Sequence, residues 1–162
     1  MQTGTLFDAL TGAANPTDLF GAFLEGAHYD FALHGLHEHA RISAARVQET
    51  FRVVVGVSEP GISALDHVIA EMWAQHWPGL SAPSFNLFAT DFGALLSVAV
   101  LSLPSASAVF RSTTVLDHMS VWVGSRNTEY FPFHKAAKAL LRPDGESLSQ
   151  LYRAVRSSGT AA

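Results

Sequence analysis

The sequence predicts an α+β fold: N-terminal helices, a small antiparallel sheet of about three strands, and two short C-terminal helices. Two changes of periodicity carry this reading. Up to Leu103 apolar side chains recur every three to four positions, as one face of a helix requires. After Pro104 the runs ASAVFRS and HMSVWVG alternate with period two, the signature of half-buried strands, and from Pro132 helical spacing returns in HKAAKALL. A chain of 162 residues is expected to form one domain, here residues 1–155, with 156–162 as a flexible tail.

Each element has its own local signal. A short helix is predicted around Leu6–Leu10, and NPTD offers Thr17 or Asp18 as cap for a longer run. Its stripe, Phe20, Phe23, Leu24, Ala27 and Phe31, continues at the same pitch through His34, Gly35, Glu38 and Ile42. Gly35 leaves open one long helix or two stacked ones. A further helix from about Ala44 to Val55 is predicted to end at GVSEPG, where Gly56, Pro60 and Gly61 oppose helical geometry. Ser63 then caps ALDHVIAEMWAQHW, with Asp66 at the capping-box position and Leu65, Val68, Ile69, Met72 and His76 inward.

After the turn PGLSAPS, the run Phe85–Leu103 is long enough to raise a membrane span. Asn86, Thr90 and Asp91 interrupt it and no basic residue flanks it, so a buried central helix closed by Pro104 is expected. Asp91 is read as a first-turn acid that favours the helix dipole, ahead of a catalytic role. GSRN turns the second strand into TEYF. Pro132 opens a helix with Ala136, Ala137, Leu140 and Leu141 inward, RPDGES breaks it, and Ser147 opens a last helix to about Val155.

Composition narrows the function. Hydrophobic residues make up 48% of the chain and charged ones only 15%, against about 25% in an average domain. So few charges cover a lone monomer poorly, which points to a homo-oligomer or a protein partner. With no cysteine, disulfides and thiolate chemistry are excluded. The opening MQTGTLFDALTGAANPTD lacks a basic segment followed by an apolar core, so a cytoplasmic protein is expected. Residues 1–110 carry a charge of −7 and the remainder +3, giving the net −4; a basic excess this small does not argue for nucleic acid.

The densest cluster of ligating side chains is HGLHEH, residues 34–39, in a chain with eight histidines. On a helix His34 and Glu38 stand one turn apart, His37 lies to the side and His39 points elsewhere. Glu25 and His28 add an E-x-x-H one to two turns earlier, half of the paired motif used by carboxylate-bridged sites in helix bundles. A metal site would use His28, His34, His37 and Glu38. The preferred reading has no metal or other cofactor: His34 a satisfied histidine beside Glu38, with His37 and His39 solvated. No nucleophile elbow, phosphate loop, H-E-x-x-H or dinucleotide-binding glycine pattern occurs, so no catalytic residue is assigned.

The closing segments FPFHKAAKALL and GESLSQLYRAV resemble those of several small bacterial α+β families of unknown function, some of them similar to immunity proteins of secreted toxins. The resemblance spans the last third of the chain and implies the fold and a binding role. In HMSVWVG, Met119, Val121 and Val123 occupy one face and His118, Ser120 and Trp122 the other. If the aliphatic face packs on the helices, the aromatic one forms a partner-binding surface, joined by Arg111 and Tyr130. The opposite arrangement, with Trp122 in the core, stays open. The expected function is therefore non-enzymatic protein binding with self-association; a metal-dependent protein and an apolar small-molecule binder are the alternatives.

Overall fold

The computed structural model describes residues 29–76, 82–104, 106–110, 119–123 and 128–160. The helix expected at Leu6–Leu10 and the stripe up to Ala27 lie outside these residues. The described elements are α1 (Tyr29–Phe51), α2 (Glu59–His76), α3 (Ala82–Leu101), β1 (Ala106–Phe110), β2 (Met119–Val123), β3 (Thr128–Tyr130), α4 (Pro132–Leu141) and α5 (Leu148–Thr160). The fold is α+β, as the periodicity predicts.

One helix, α1, runs unbroken past Gly35, and no new helix starts at Ala44. Leu36, His39, Ala40, Ser43 and Val47 form its buried stripe, while Gly35, Glu38 and Ile42 are half-buried. The inward face is thus turned one residue, about 100°, from the expected one. Arg52 ends α1 with φ 59°, its N–H still donating to Gln48 O at 2.9 Å. A left-handed residue after the last turn stops a helix, and here an arginine does what glycine usually does.

The motif expected to stop a helix starts one. Glu59 and Pro60 occupy the first turn of α2, where an acid favours the dipole and proline loses no hydrogen bond. Gly61 is required there: a Cβ would stand 2.5 Å from the backbone N and O of Gly56. Ser63 is consequently inside the helix and not its cap. Leu65, Val68, Ile69 and Met72 are buried as expected, and the side chain of His76 is outside the description.

Asp66 caps a different helix. Its carboxylate accepts the Leu148 N–H at 2.7 Å and the Ser149 N–H at 3.2 Å, tying α2 to the start of α5. Ser147 and Gln150 add a reciprocal capping box, each side-chain oxygen accepting the other's backbone N–H at 3.2–3.3 Å. With two sets of caps, α5 continues to Thr160 through the segment expected as a tail, and Ser158 is buried within it.

The central helix α3 is buried on nearly every side from Ala89 to Val100. Its most extensive packing is with α4, where Gly93 allows the Phe133 ring to lie against the α3 backbone; a Cβ at Gly93 would come within 2.2 Å of that ring. Phe133, Ala136, Ala137, Ala139 and Leu140 form the buried side of α4, whereas Leu141, expected inward, is 41% exposed. Trp73 Nε1 donates to Leu140 O at 2.7 Å, joining α2 to the end of α4. Among the described residues no helix is long and apolar enough to cross a membrane.

The strands form an antiparallel sheet in the order β1-β2-β3. Ala106 pairs with Val123, Ala108 with Val121 and Phe110 with Met119; across the other seam Tyr130 faces Val121 and Thr128 faces Val123. Ala108, Val121 and Val123 are buried against the helices.

Candidate functional site

Pairing register decides the two faces of the sheet. Val121 and Val123 are 0% exposed, so the aliphatic positions of β2 face the helices. By alternation Trp122 takes the opposite face, where it stands between Ser107 of β1 and Glu129 of β3. Val109, paired in the backbone with Ser120, is 37% exposed. Trp122 itself is half-buried, and its carbonyl lies 3.4 Å from Ser107 Oγ.

Tyr130 is not on this face. It pairs with Val121, on the helix side, and its hydroxyl shares a 2.7 Å hydrogen bond with Ser158 Oγ of α5. A strand one residue out of step with its neighbour's aromatic cannot present both on one surface, since alternate residues point to opposite sides. Arg111 and His118 lie outside the described residues. The side chain of Ser120 lies outside the description too, so of the five residues predicted to form a binding surface the structure places Trp122 on the outer face and Tyr130 on the inner one.

Of the histidine cluster, the structure describes the side chains of His37, Glu38 and His39. His37 is exposed, and Glu38 is held on the same helix by Arg41, whose Nε lies 3.1 Å and 3.2 Å from its two oxygens. That hydrogen bond, with the Coulomb attraction beside it, raises the Arg41 pKa. His28 lies outside the described residues, as does the side chain of His34. Among the described residues no group of three or more His, Cys, Asp or Glu stands close enough to hold a metal ion.

The buried polar site is elsewhere. Asp91 is not in the first turn of α3 but at its middle, 1% exposed. Ser43 Oγ donates to Asp91 Oδ1 at 2.7 Å, His39 Nε2 lies 3.4 Å from the same oxygen, and Arg46 Nε lies 3.4 Å from Oδ2. His39, predicted solvated, is 3% exposed. The spacing 39, 43, 46 places all three partners on one face of α1, directed at the single acid in an otherwise apolar helix. That acid was the legible signal: a carboxylate buried at mid-helix has to find partners.

A third feature is a cleft of about 390 Å³ where β3, α4 and α5 meet, lined by Glu129, Tyr130, Phe131, His134, Lys135, Lys138, Glu146 and Leu151. Lys135 makes an ion pair with Glu146 and donates to Gln150 Oε1 at 3.0 Å. Phe131 and His134 meet edge-on, ring centroids 5.7 Å apart. Comparison with protein-family models, curated proteins and solved structures finds no match to this chain.

Proposed function

We propose that this protein is a non-enzymatic, cytoplasmic binding protein that associates with a second copy of itself through the outer face of the sheet, with Trp122 as the anchor. The observation that supports this most directly is the register that buries Val121 and Val123 and leaves Trp122 on the side away from the helices, next to exposed Val109 and Ser107. An aromatic with a polar N–H, flanked by Ser107 on one strand and Glu129 on the other, supplies buried area without ordering a long side chain. The low charged fraction of 15% favours the same reading, because it leaves apolar surface that a second copy covers.

Trp122→Ala tests it. Truncating an interface anchor costs about 2 kcal/mol or more, roughly thirtyfold in affinity, with little loss of folding stability. Sedimentation velocity across micromolar concentrations should show a dimer in the parent and a monomer in the variant, with similar melting temperatures. A parent that stays monomeric, or a variant that loses about 3–5 kcal/mol of stability as a core truncation does, removes the proposal.

A further inference from the structure

On α4 the sequence HKAAKALLR sets Lys135, Lys138 and Arg142 at spacings of three and four, so the three cations run along one side of the helix. Among the described residues Lys135 makes its ion pair with Glu146. The hydrogen bond from Lys135 is the main reason its pKa lies below the usual glutamate range, and the charges of Lys135, Lys138 and Arg142 lower it further. Glu146 is therefore ionised and committed to Lys135. The Lys138 ammonium makes no hydrogen bond or ion pair among the described residues, yet the side chain borders the cleft.

Apolar surface lies beside that cation. Leu151 and the rings of Tyr130 and Phe131 line the cleft, the Tyr130 hydroxyl being turned to Ser158. The volume, about 390 Å³, falls in the range of small-molecule clefts. Charge limits the occupant. Lys135 and Lys138 among the lining residues are balanced by Glu129 and Glu146, so a doubly charged anion would add repulsion from two carboxylates, whereas one negative charge meets Lys138 directly. An uncharged molecule leaves Lys138 unused.

We propose that the cleft between β3, α4 and α5 binds a small organic monocarboxylate, its carboxylate on Lys138 and its apolar stem over Phe131 and Leu151. This site is separate from the sheet face and does not depend on self-association.

Benzoate, benzyl alcohol and inorganic phosphate, each titrated into the full-length protein and followed by amide chemical shifts, test it. Benzoate should give saturable shifts confined to residues around Tyr130, His134 and Leu151, with affinity about tenfold above that of benzyl alcohol and of phosphate. Lys138→Ala should remove that tenfold advantage, and Lys138→Arg should keep most of it. Lys138 is exposed, so both variants should fold, which their remaining amide spectra report directly. The proposal fails if benzoate gives no saturable shifts at the cleft, if benzyl alcohol or phosphate binds as well, or if Lys138→Ala binds benzoate like the parent.

Discussion

Helix α3 has two buried interfaces, an apolar one with α4 and one with α1 in which a carboxylate is set among apolar contacts such as Phe51 with Phe88. Toward α4 it offers Gly93 to the face of Phe133, with alanines and Leu140 around them. Toward α1 it offers Asp91 to Ser43, His39 and Arg46. The first interface removes apolar area from water, which is favourable in proportion to the area and indifferent to direction. The second takes a charge out of water and recovers the cost only if its partners stand at the right positions. Stability should therefore reside in the α3–α4 contact. The α1–α3 contact should chiefly determine which register α1 adopts, because sliding α1 by one residue would leave Asp91 facing an apolar side chain.

Truncation on the apolar side should have the largest effect. Phe133→Ala empties the space above Gly93 and should lower unfolding free energy by about 3–5 kcal/mol in urea titration. Gly93→Ala drives a methyl into the same ring and should cost about 1–3 kcal/mol, largely recovered in combination with Phe133→Leu. If Gly93→Ala is neutral, the close approach does not constrain the interface and the comparison collapses.

The polar side should respond in a way no apolar contact does. Asp91→Asn alone should lose about 1–3 kcal/mol, since Arg46 and His39 then face an amide. Replacing the buried members of the cluster, Asp91→Leu with His39→Leu and Ser43→Ala, while the 36%-exposed Arg46 turns to solvent, should restore parental stability or exceed it by about 1–4 kcal/mol. Loss of amide-exchange protection in α1 of that triple variant would be the cost in uniqueness. A triple variant less stable than Asp91→Asn would show that the cluster carries net stability.

The smallest effect concerns a partly exposed ion pair. The Glu146 carboxyl is held below its usual range in the folded protein by the Lys135 hydrogen bond. A depressed folded value means that the pair contributes fully above the unfolded glutamate range, about pH 4.3, and loses its contribution as pH falls through the folded value. Melting temperatures of the parent and Lys135→Met should thus differ most at neutral pH and converge at low pH. A gap that is constant with pH would place the effect of Lys135 in packing of its stem alone.

Much of the architecture was legible in the chain before any coordinates. Period two in ASAVF and MSVWV against period 3.6 in HKAAKALL separates strand from helix, because side chains must repeat with the geometry that buries them. Ser147 and Gln150 mark the start of α5 through their own backbone bonds, a purely local matter. The α3 run was recognisable as a buried helix by its lack of a polar face.

Tertiary structure alone decided the rest, in each case because the deciding partner is distant in sequence. Asp66 was placed as a cap for its own helix but serves Leu148, 82 residues on. His39 was read as solvated because it points away from the stripe through His34 and Glu38, while its partner Asp91 is on another helix. Tyr130 and Trp122 were read as sharing one face of the sheet, whether outer or inner, and only strand pairing shows that they point apart. Local backbone geometry is written in adjacent residues; which side chain meets a buried charge, a bare helix end or a glycine depends on contacts that no spacing within one element reveals.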